Sequence, residues 1–265
     1  MAMSENSVRV HLRYEVPPRW DEWIMPEGTV PEAHVHDLTA RRLVELLDAW
    51  VQRTGLDAVV ARNIAIRFLR ERPRVGIDPD VCLVEPKPPS AREFSSVKLW
   101  QPGHAPPRLA VEVVSRWHPN KDYDRVQERY AYCGVEELWV LDPERFGPAR
   151  FGGPFPLQQW LRRDGVLERC HAGEGPVYSP TLGAWLFAEP VRICDSRAGD
   201  GVWTTLAEEA RMQADEARAQ ADVARAQADA ARAQADAART EVDRERAARL
   251  AAEARVAELE RKLGK

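Results

Sequence analysis

The 265-residue chain is short of several features that would place it in a class directly. It has four cysteines, Cys82, Cys133, Cys170 and Cys194, scattered with no CxxC pair. That spacing argues against a disulfide framework or a zinc cage and suits reduced, buried thiols in a cytoplasmic protein. No run approaches the roughly 18 consecutive apolar residues that a membrane span requires. The opening MAMSENSVRVHLRYE has neither an apolar core nor a small-residue cleavage site, so a secretory leader is not expected. There is no basic excess either: 38 Lys and Arg stand against 42 Asp and Glu, a net charge of −4. A broad basic surface of the kind that drives non-specific nucleic-acid binding is therefore not indicated. A locally basic groove, or a bound metal ion, would have to supply positive charge for chemistry on phosphates.

What is present reads as three regions. Residues 1–34, with PPRWDEWIMPEGTVPEA, are rich in proline and tryptophan and suggest an irregular arm. Residues 35–205 alternate between helical and strand patterns. DLTARRLVELLDAWVQRTG carries an apolar stripe, Ala40, Leu43, Val44, Leu47, Trp50 and Val51, opposite Arg41, Glu45, Asp48 and Gln52, and predicts a helix closed by Gly55. Alternation through Ile64, Ile66 and Phe68 predicts a strand, and DVCLVE (Asp80 to Glu85) a short one. RLAVEVVS (Arg108 to Ser115) is almost continuously apolar, as a strand buried on both faces would be. YDRVQERYAYCG predicts a helix ending at Gly134, and ELWVLDP a strand stopped by Pro143. From about residue 147 the text turns to short strands, with Asp164-Gly165 as a hairpin signal, a β-rich extension of the same domain.

Residues 206–265 form a heptad-repeat tail. Arginine recurs at 211, 218, 225, 232, 239 and 246 around the unit RAQADAA, with no glycine or proline before Gly264. Alanine is the best helix former, and Arg218, Arg225 and Arg232 each have an aspartate four residues on. The expectation is one long helix. Its alanine seam suits either a solvated single helix or a homodimeric coiled coil.

Two acids and a nearby charged cluster could carry chemistry. Glu112 lies between Val111 and Val113 in the most apolar strand, and Asp80 opens a neighbouring strand. A carboxylate in such a strand must be paired or bind a cation. Two of them from adjacent strands suit Mg²⁺, a hard ion that keeps several waters. Lys121, Asp122, Arg125 and Arg129 follow on the next helix, where a cation would stabilise charge developing on a phosphoryl group. The residues alone leave a second reading open, in which Glu112 is a strand acid paired with Arg108 or Arg67 and Asp80 merely starts a strand. His34 and His36 form an HxH pair that suits a loop or helix-cap role better than a metal site. His118 lies in the loop beside the proposed site, and Glu45 falls on the polar face of its helix.

The string RLAVEVVSRWHPNKDYDRVQERYAYCGVEELWVLDP, preceded by IDPDVCLVE, resembles the Uma-type family of bacterial proteins classed as restriction endonucleases, within the PD-(D/E)XK nuclease superfamily. The likeness is most specific from Arg108 to Pro143 and extends to YSPTLGAWL and the alanine–arginine tail. It implies an α/β, restriction-endonuclease-like α-β-β-β-α-β core, here with the β-rich extension and the long C-terminal alanine-rich helix. It implies Mg²⁺ or Mn²⁺ held by Asp80 and Glu112, and DNA as the partner. One element departs from the pattern. The superfamily lysine two residues after the glutamate is Val114 here, and the position of the Uma-type helix lysine, four residues before Tyr130, is Val126. Lys121 or Arg129 would then act as the catalytic cation beside Asp80 and Glu112. Arginine stabilises charge but does not accept a proton from water. The resemblance thus implies a metal-dependent endonuclease; the alternative is a catalytically impaired, nuclease-fold adaptor that assembles through its tail.

Overall fold

The computed structural model describes residues 9–10, 20–24, 34–89 and 95–264. Most of the expected N-terminal arm, and residues 90–94 of the proline-rich loop, lie outside the described residues. The elements in chain order are β1 (Arg9–Val10), a 3₁₀ turn (Trp20–Trp23), α1 (His34–Thr54), β2 (Val59–Ala61), β3 (Ala65–Arg67), β4 (Gly76–Ile77), β5 (Val81–Val84), β6 (Ser96–Lys98) and β7 (Pro107–Val113). A single π-helical turn, Lys121–Arg125, leads into α2 (Val126–Cys133), followed by β8 (Glu137–Leu141). Then come β9 (Leu157–Arg163), β10 (Val166–Gly173), β11 (Val177–Ser179), β12 (Ala184–Ala188), β13 (Val191–Cys194) and α3 (Leu206–Leu263).

A seven-stranded sheet of order β1-β10-β9-β8-β7-β5-β2 forms the centre of the domain. Among the described residues its one parallel pair is β7 with β8, the two strands joined through α2. That connection has the length a parallel crossover needs. Reading α1, β2, β5, β7, α2 and β8 in order gives the α-β-β-β-α-β core that the resemblance implies. The sheet is restriction-endonuclease-like.

Alternation along the strands divides the core in two. Leu109, Val111 and Val113 of β7 face α1 with Val81, Leu83, Trp139 and Leu141, against Leu43, Leu46 and Leu47. Ala110 of β7 and Val114 just beyond it face the other way, with Cys82, Val84, Leu138 and Val140, against Val126 and Tyr130. Both faces are dry, which is why β5, β7 and β8 read as apolar runs rather than alternating ones. The buried stripe of α1 takes in Leu46 and Ala49, a slightly different face from the one the sequence pattern gives. Val44 and Trp50 remain at its margin, and Glu45 is exposed. A helix carrying leucines at 43, 46 and 47 seats their centroid on the sheet, and the bulky Trp50 is displaced to the edge, stacked on Trp203.

The β-rich extension is partly built into the main sheet. β9 and β10 form a hairpin whose turn, Asp164-Gly165, has φ of 51° and 79°, the positive values that an Asp-Gly turn favours. β9 then pairs with β8, and β1 with β10, so Arg9–Val10 is an edge strand where an irregular segment is expected from sequence. Two small sheets flank the large one: β11-β12-β13, and β4-β3-β6. The very short strands β2, β4 and β6 have too little pattern to be read from sequence.

The chain divides into two compact units, Met1–Leu206 and Ala207–Lys265. The second is the tail of α3, a helix that buries none of its residues and carries i,i+4 ion pairs Arg249–Glu253 and Glu258–Lys262. No helix among the described residues is long and apolar enough to cross a membrane.

Candidate active site

Strand register brings the two acids together. Val81 pairs with Val111 and Cys82 with Ala110 in the antiparallel β5–β7 ladder. Continuing that register by one step sets Asp80 opposite Glu112. The Asp80 carboxylate is fixed there by the Val113 N–H, which donates to its Oδ2 at 2.7 Å. His36 Nε2 lies 3.1 Å from the same oxygen and is itself buried. α1 begins at His34, so His36 is a helical residue whose ring reaches the sheet. His34 is exposed, as residues two apart on a helix face different ways.

Glu112 is fully buried. Tyr130, also fully buried, donates its hydroxyl proton to Glu112 Oε1 at 2.7 Å. Lys121 Nζ donates to the other oxygen, Oε2, at 3.1 Å. The same ammonium is ion-paired at 3.1 Å with Asp122 Oδ1, an oxygen that is buried. The π-helical turn makes this possible. It starts at Lys121 and leads directly into α2, and such turns recur at functional positions. The far end of α2 is held as firmly. Gly134 ends it with φ of 92°, a value open to glycine, and donates its N–H to the Tyr130 carbonyl. Arg162 caps the Tyr130 and Ala131 carbonyls from β9. Tyr130 is therefore placed by both the sheet and the helix terminus.

The electrostatics follow from three carboxylates around one ammonium. Burial pushes the Glu112 carboxyl up to about 8; Asp80 and Asp122 add to the rise, while Lys121 and Tyr130 oppose it. Burial also pushes Asp122 up to about 6, with Asp80 adding and Lys121 opposing. Burial by itself would lower Lys121, but Glu112, Asp122 and Asp80 outweigh it and hold the ammonium well above the ordinary lysine value. Tyr130 is raised as well, by burial and by Glu112. The cluster holds more negative charge than one ammonium neutralises.

Of the four residues expected from sequence, the structure gathers Asp80, Glu112 and Lys121. Arg129 lies elsewhere on α2, its guanidinium 6.0 Å from the Trp23 ring centroid. The alternative pairing of Glu112 with arginine is not found. Arg108 pairs with Glu85 and Glu136, and Arg67 donates to the Pro73 carbonyl. Val114 and Val126 are both buried in the core on the α2 side of the sheet. Ser115 steadies the loop beyond β7, its Oγ accepting the Trp117 N–H at 3.1 Å and its carbonyl the His118 N–H. From sequence, Asp122 is named only within a charged cluster, His36 is given a loop or cap role and Tyr130 serves only as a landmark of the motif, so none of the three is assigned to the site. Asp122 directly follows Lys121 at the helix entrance, and that adjacency was the available signal. His36 gave none, since only the fold brings α1 over Asp80.

The donor set is rich in hard oxygen. Among the described residues, no group of three or more His, Cys, Asp and Glu side chains forms a metal cage by itself. Two carboxylates from adjacent strands, with water completing the shell, are what Mg²⁺ ordinarily takes from a protein. Glu112 and Asp122, both pushed up by burial, and the Asp80 carboxylate opposite Glu112 offer oxygens that fit such a cation.

The model of the Uma2 family, described as "Putative restriction endonuclease", matches residues 11–147, a span that includes Asp80, Glu112, Lys121 and Tyr130. No curated protein matches the sequence. A solved structure described as a "putative nuclease belonging to DUF820 from Anabaena variabilis" is 12% identical, with a TM-score of 0.39, covering 60% of this chain and 75% of that one.

Proposed function

The chain belongs to the Uma2 family, and from that premise we propose that it is a Mg²⁺- or Mn²⁺-dependent endonuclease that hydrolyses phosphodiester bonds in DNA. Asp80 and Glu112 are the metal-holding carboxylates in this reading, and Lys121 is the catalytic cation. The observation that carries it is the β5–β7 register, which continued by one step sets Asp80 opposite Glu112, within a cluster short of positive charge. When bound, a divalent ion polarises a phosphoryl oxygen and lowers the pKa of a coordinated water.

The chain's own groups do the positioning. The Val113 N–H and His36 hold the Asp80 carboxylate in one orientation. Tyr130 holds Glu112 from the dry side, leaving Oε2 toward Lys121. Lys121 stays protonated, because its acidic neighbours raise its pKa, so it serves as a hydrogen-bond donor and fixed positive charge rather than as a general base. A cation placed in advance stabilises the charge that develops on the phosphoryl oxygens. The reading takes the protein as cytoplasmic. It also includes pairing of two α3 helices as a homodimer, since the heptad repeat exposes its whole alanine seam in the single chain.

A second reading has one specific observation behind it. Val114 and Val126, at the two positions where the resemblance implies a lysine, pack as core residues, which favours an adaptor that keeps the fold without turnover. Incubating plasmid and linear DNA with purified protein, with Mg²⁺, Mn²⁺ or chelator, separates the two. Metal-dependent strand breaks that vanish in Glu112→Gln support the endonuclease. DNA binding without breaks under every condition supports the adaptor.

A further inference from the structure

We propose that Trp117 is a stacking platform for an unpaired nucleobase beside the site, so that the preferred substrate is single-stranded or locally melted DNA. The inference deepens the endonuclease reading and rests on it.

Among the described residues, Trp117 is the most exposed tryptophan, at 63%. An indole left in water forgoes the burial that its large apolar area would otherwise provide. Its place in the chain is specific. Trp117 lies five residues after Glu112 and four before Lys121, in the loop that joins the two. That loop is ordered by local hydrogen bonds: Trp117 N–H to Ser115 Oγ, His118 N–H to the Ser115 carbonyl and Lys121 N–H to the His118 carbonyl. The indole is thus exposed on a backbone with a defined conformation.

The chemistry around it suits a nucleotide. Arg116 Cζ sits 5.4 Å from the Trp117 ring centroid and 5.9 Å from that of Phe146, so the arginine is steadied by two aromatic rings. From Val113 to Lys121 the chain contains Arg116, His118 and Lys121 and no acid. In a protein of net charge −4, this is a local basic stretch placed where a phosphate backbone would approach Glu112. Proteins that bind single strands combine such a basic track with aromatic rings on which bases stack. In an intact duplex the base faces are already stacked on their neighbours, so the ring has nothing to take up until a base is unpaired.

The test is the fluorescence anisotropy of a labelled oligonucleotide, single-stranded or as duplex, titrated with full-length protein in chelator to prevent cleavage. Wild type should bind the single strand about tenfold or more tightly than the duplex, the size that base stacking supports. Trp117→Ala and Trp117→Leu should both lose most of that preference while binding duplex as before, and Trp117→Phe should restore much of it. Leucine keeps apolar bulk without a π face, and thermal melts verify that each variant is folded. Equal or better binding of duplex by wild type, or unchanged single-strand binding in both Trp117→Ala and Trp117→Leu, would overturn the platform while leaving the endonuclease reading intact. Absence of binding to either DNA by wild type would also overturn the platform, while the endonuclease reading is tested separately by cleavage with Mg²⁺ or Mn²⁺.

Discussion

Lys121 and Glu112 are nine residues apart in sequence and on opposite sides of an exposed loop, yet Lys121 Nζ donates to Glu112 Oε2 at 3.1 Å. The contact supplies a cation to a glutamate for which the resemblance implies a lysine at position 114 or 126, both of which are buried valines. Lys121→Ala should therefore lower any DNA-cleavage rate by about two to three orders of magnitude, the size seen when one charge-stabilising donor is removed. Metal affinity should stay level or rise, because a competing ammonium has gone. Arg129→Ala, whose guanidinium lies near Trp23, should stay within a few-fold of wild type. Single-turnover rates and metal titrations on both variants check this. Full activity in Lys121→Ala would remove the lysine from the mechanism.

Tyr130→Phe should be costly in a different way. It deletes the hydroxyl that donates to Glu112 Oε1 and leaves a fully buried carboxylate oxygen without that partner. Leaving a buried polar group unsatisfied costs about 1–3 kcal/mol, and denaturant unfolding should show a loss in that range. Glu112 should then hold its proton more tightly still, which would weaken metal binding at neutral pH. A variant as stable as wild type would show the hydroxyl to be replaceable by water.

The raised Glu112 pKa carries a pH dependence with a definite sign. The folded protein holds this proton up to about pH 8, whereas the unfolded chain releases it near the ordinary glutamate value of 4.5. Between these values the native state binds more protons, so this group's contribution to stability falls as pH rises. Metal-free wild type should lose stability across that window, and Glu112→Gln should flatten that part of the profile. A metal that binds the carboxylate must displace the proton, so apparent Mg²⁺ affinity should climb from pH 6 toward pH 8. Melts and calorimetry over this range read both effects; a flat affinity profile would contradict the assigned protonation.

Ending the chain after Leu206 should leave the melt of the first unit cooperative and within about 0.5 kcal/mol of wild type, the usual scale for changes that disturb no buried group. α3 buries none of its residues and so contributes no core. Sedimentation of full-length and shortened chains reads the assembly role. A dimer lost on shortening supports tail pairing, and a monomer in both excludes it. A molten shortened chain would mean that the tail contributes to the fold.

The sequence carried the fold further than the site. β5, β7 and β8 were legible because burial on both faces makes their text continuously apolar, and the Asp164-Gly165 hairpin because its backbone demands those residues. β2, β4 and β6 were not, since two or three residues hold no period. Asp80 and Glu112 stood out as acids at apolar strands. His36 did not, because its partner is 44 residues away and only α1 packing brings them together. Asp122 and Lys121 could be seen as neighbours, but the π-helical turn that aims both at Glu112 has no sequence signature.

The central claim is that Asp80 and Glu112 form a cation site, and thermal melts of wild type, Asp80→Asn and Glu112→Gln with and without Mg²⁺ test it most directly. A cation that binds only the native state raises its melting temperature by mass action. Wild type should show that rise, with Mn²⁺ acting likewise, and both variants should lose it. Without metal, Glu112→Gln should be at least as stable as wild type at pH 8, since a buried acid crowded by two others has been neutralised. A structural acid cluster gives the opposite pattern. Wild type blind to Mg²⁺ and Mn²⁺, with both variants several kcal/mol less stable, on the order of the 3–5 kcal/mol lost when a buried ion pair is broken, would contradict the account.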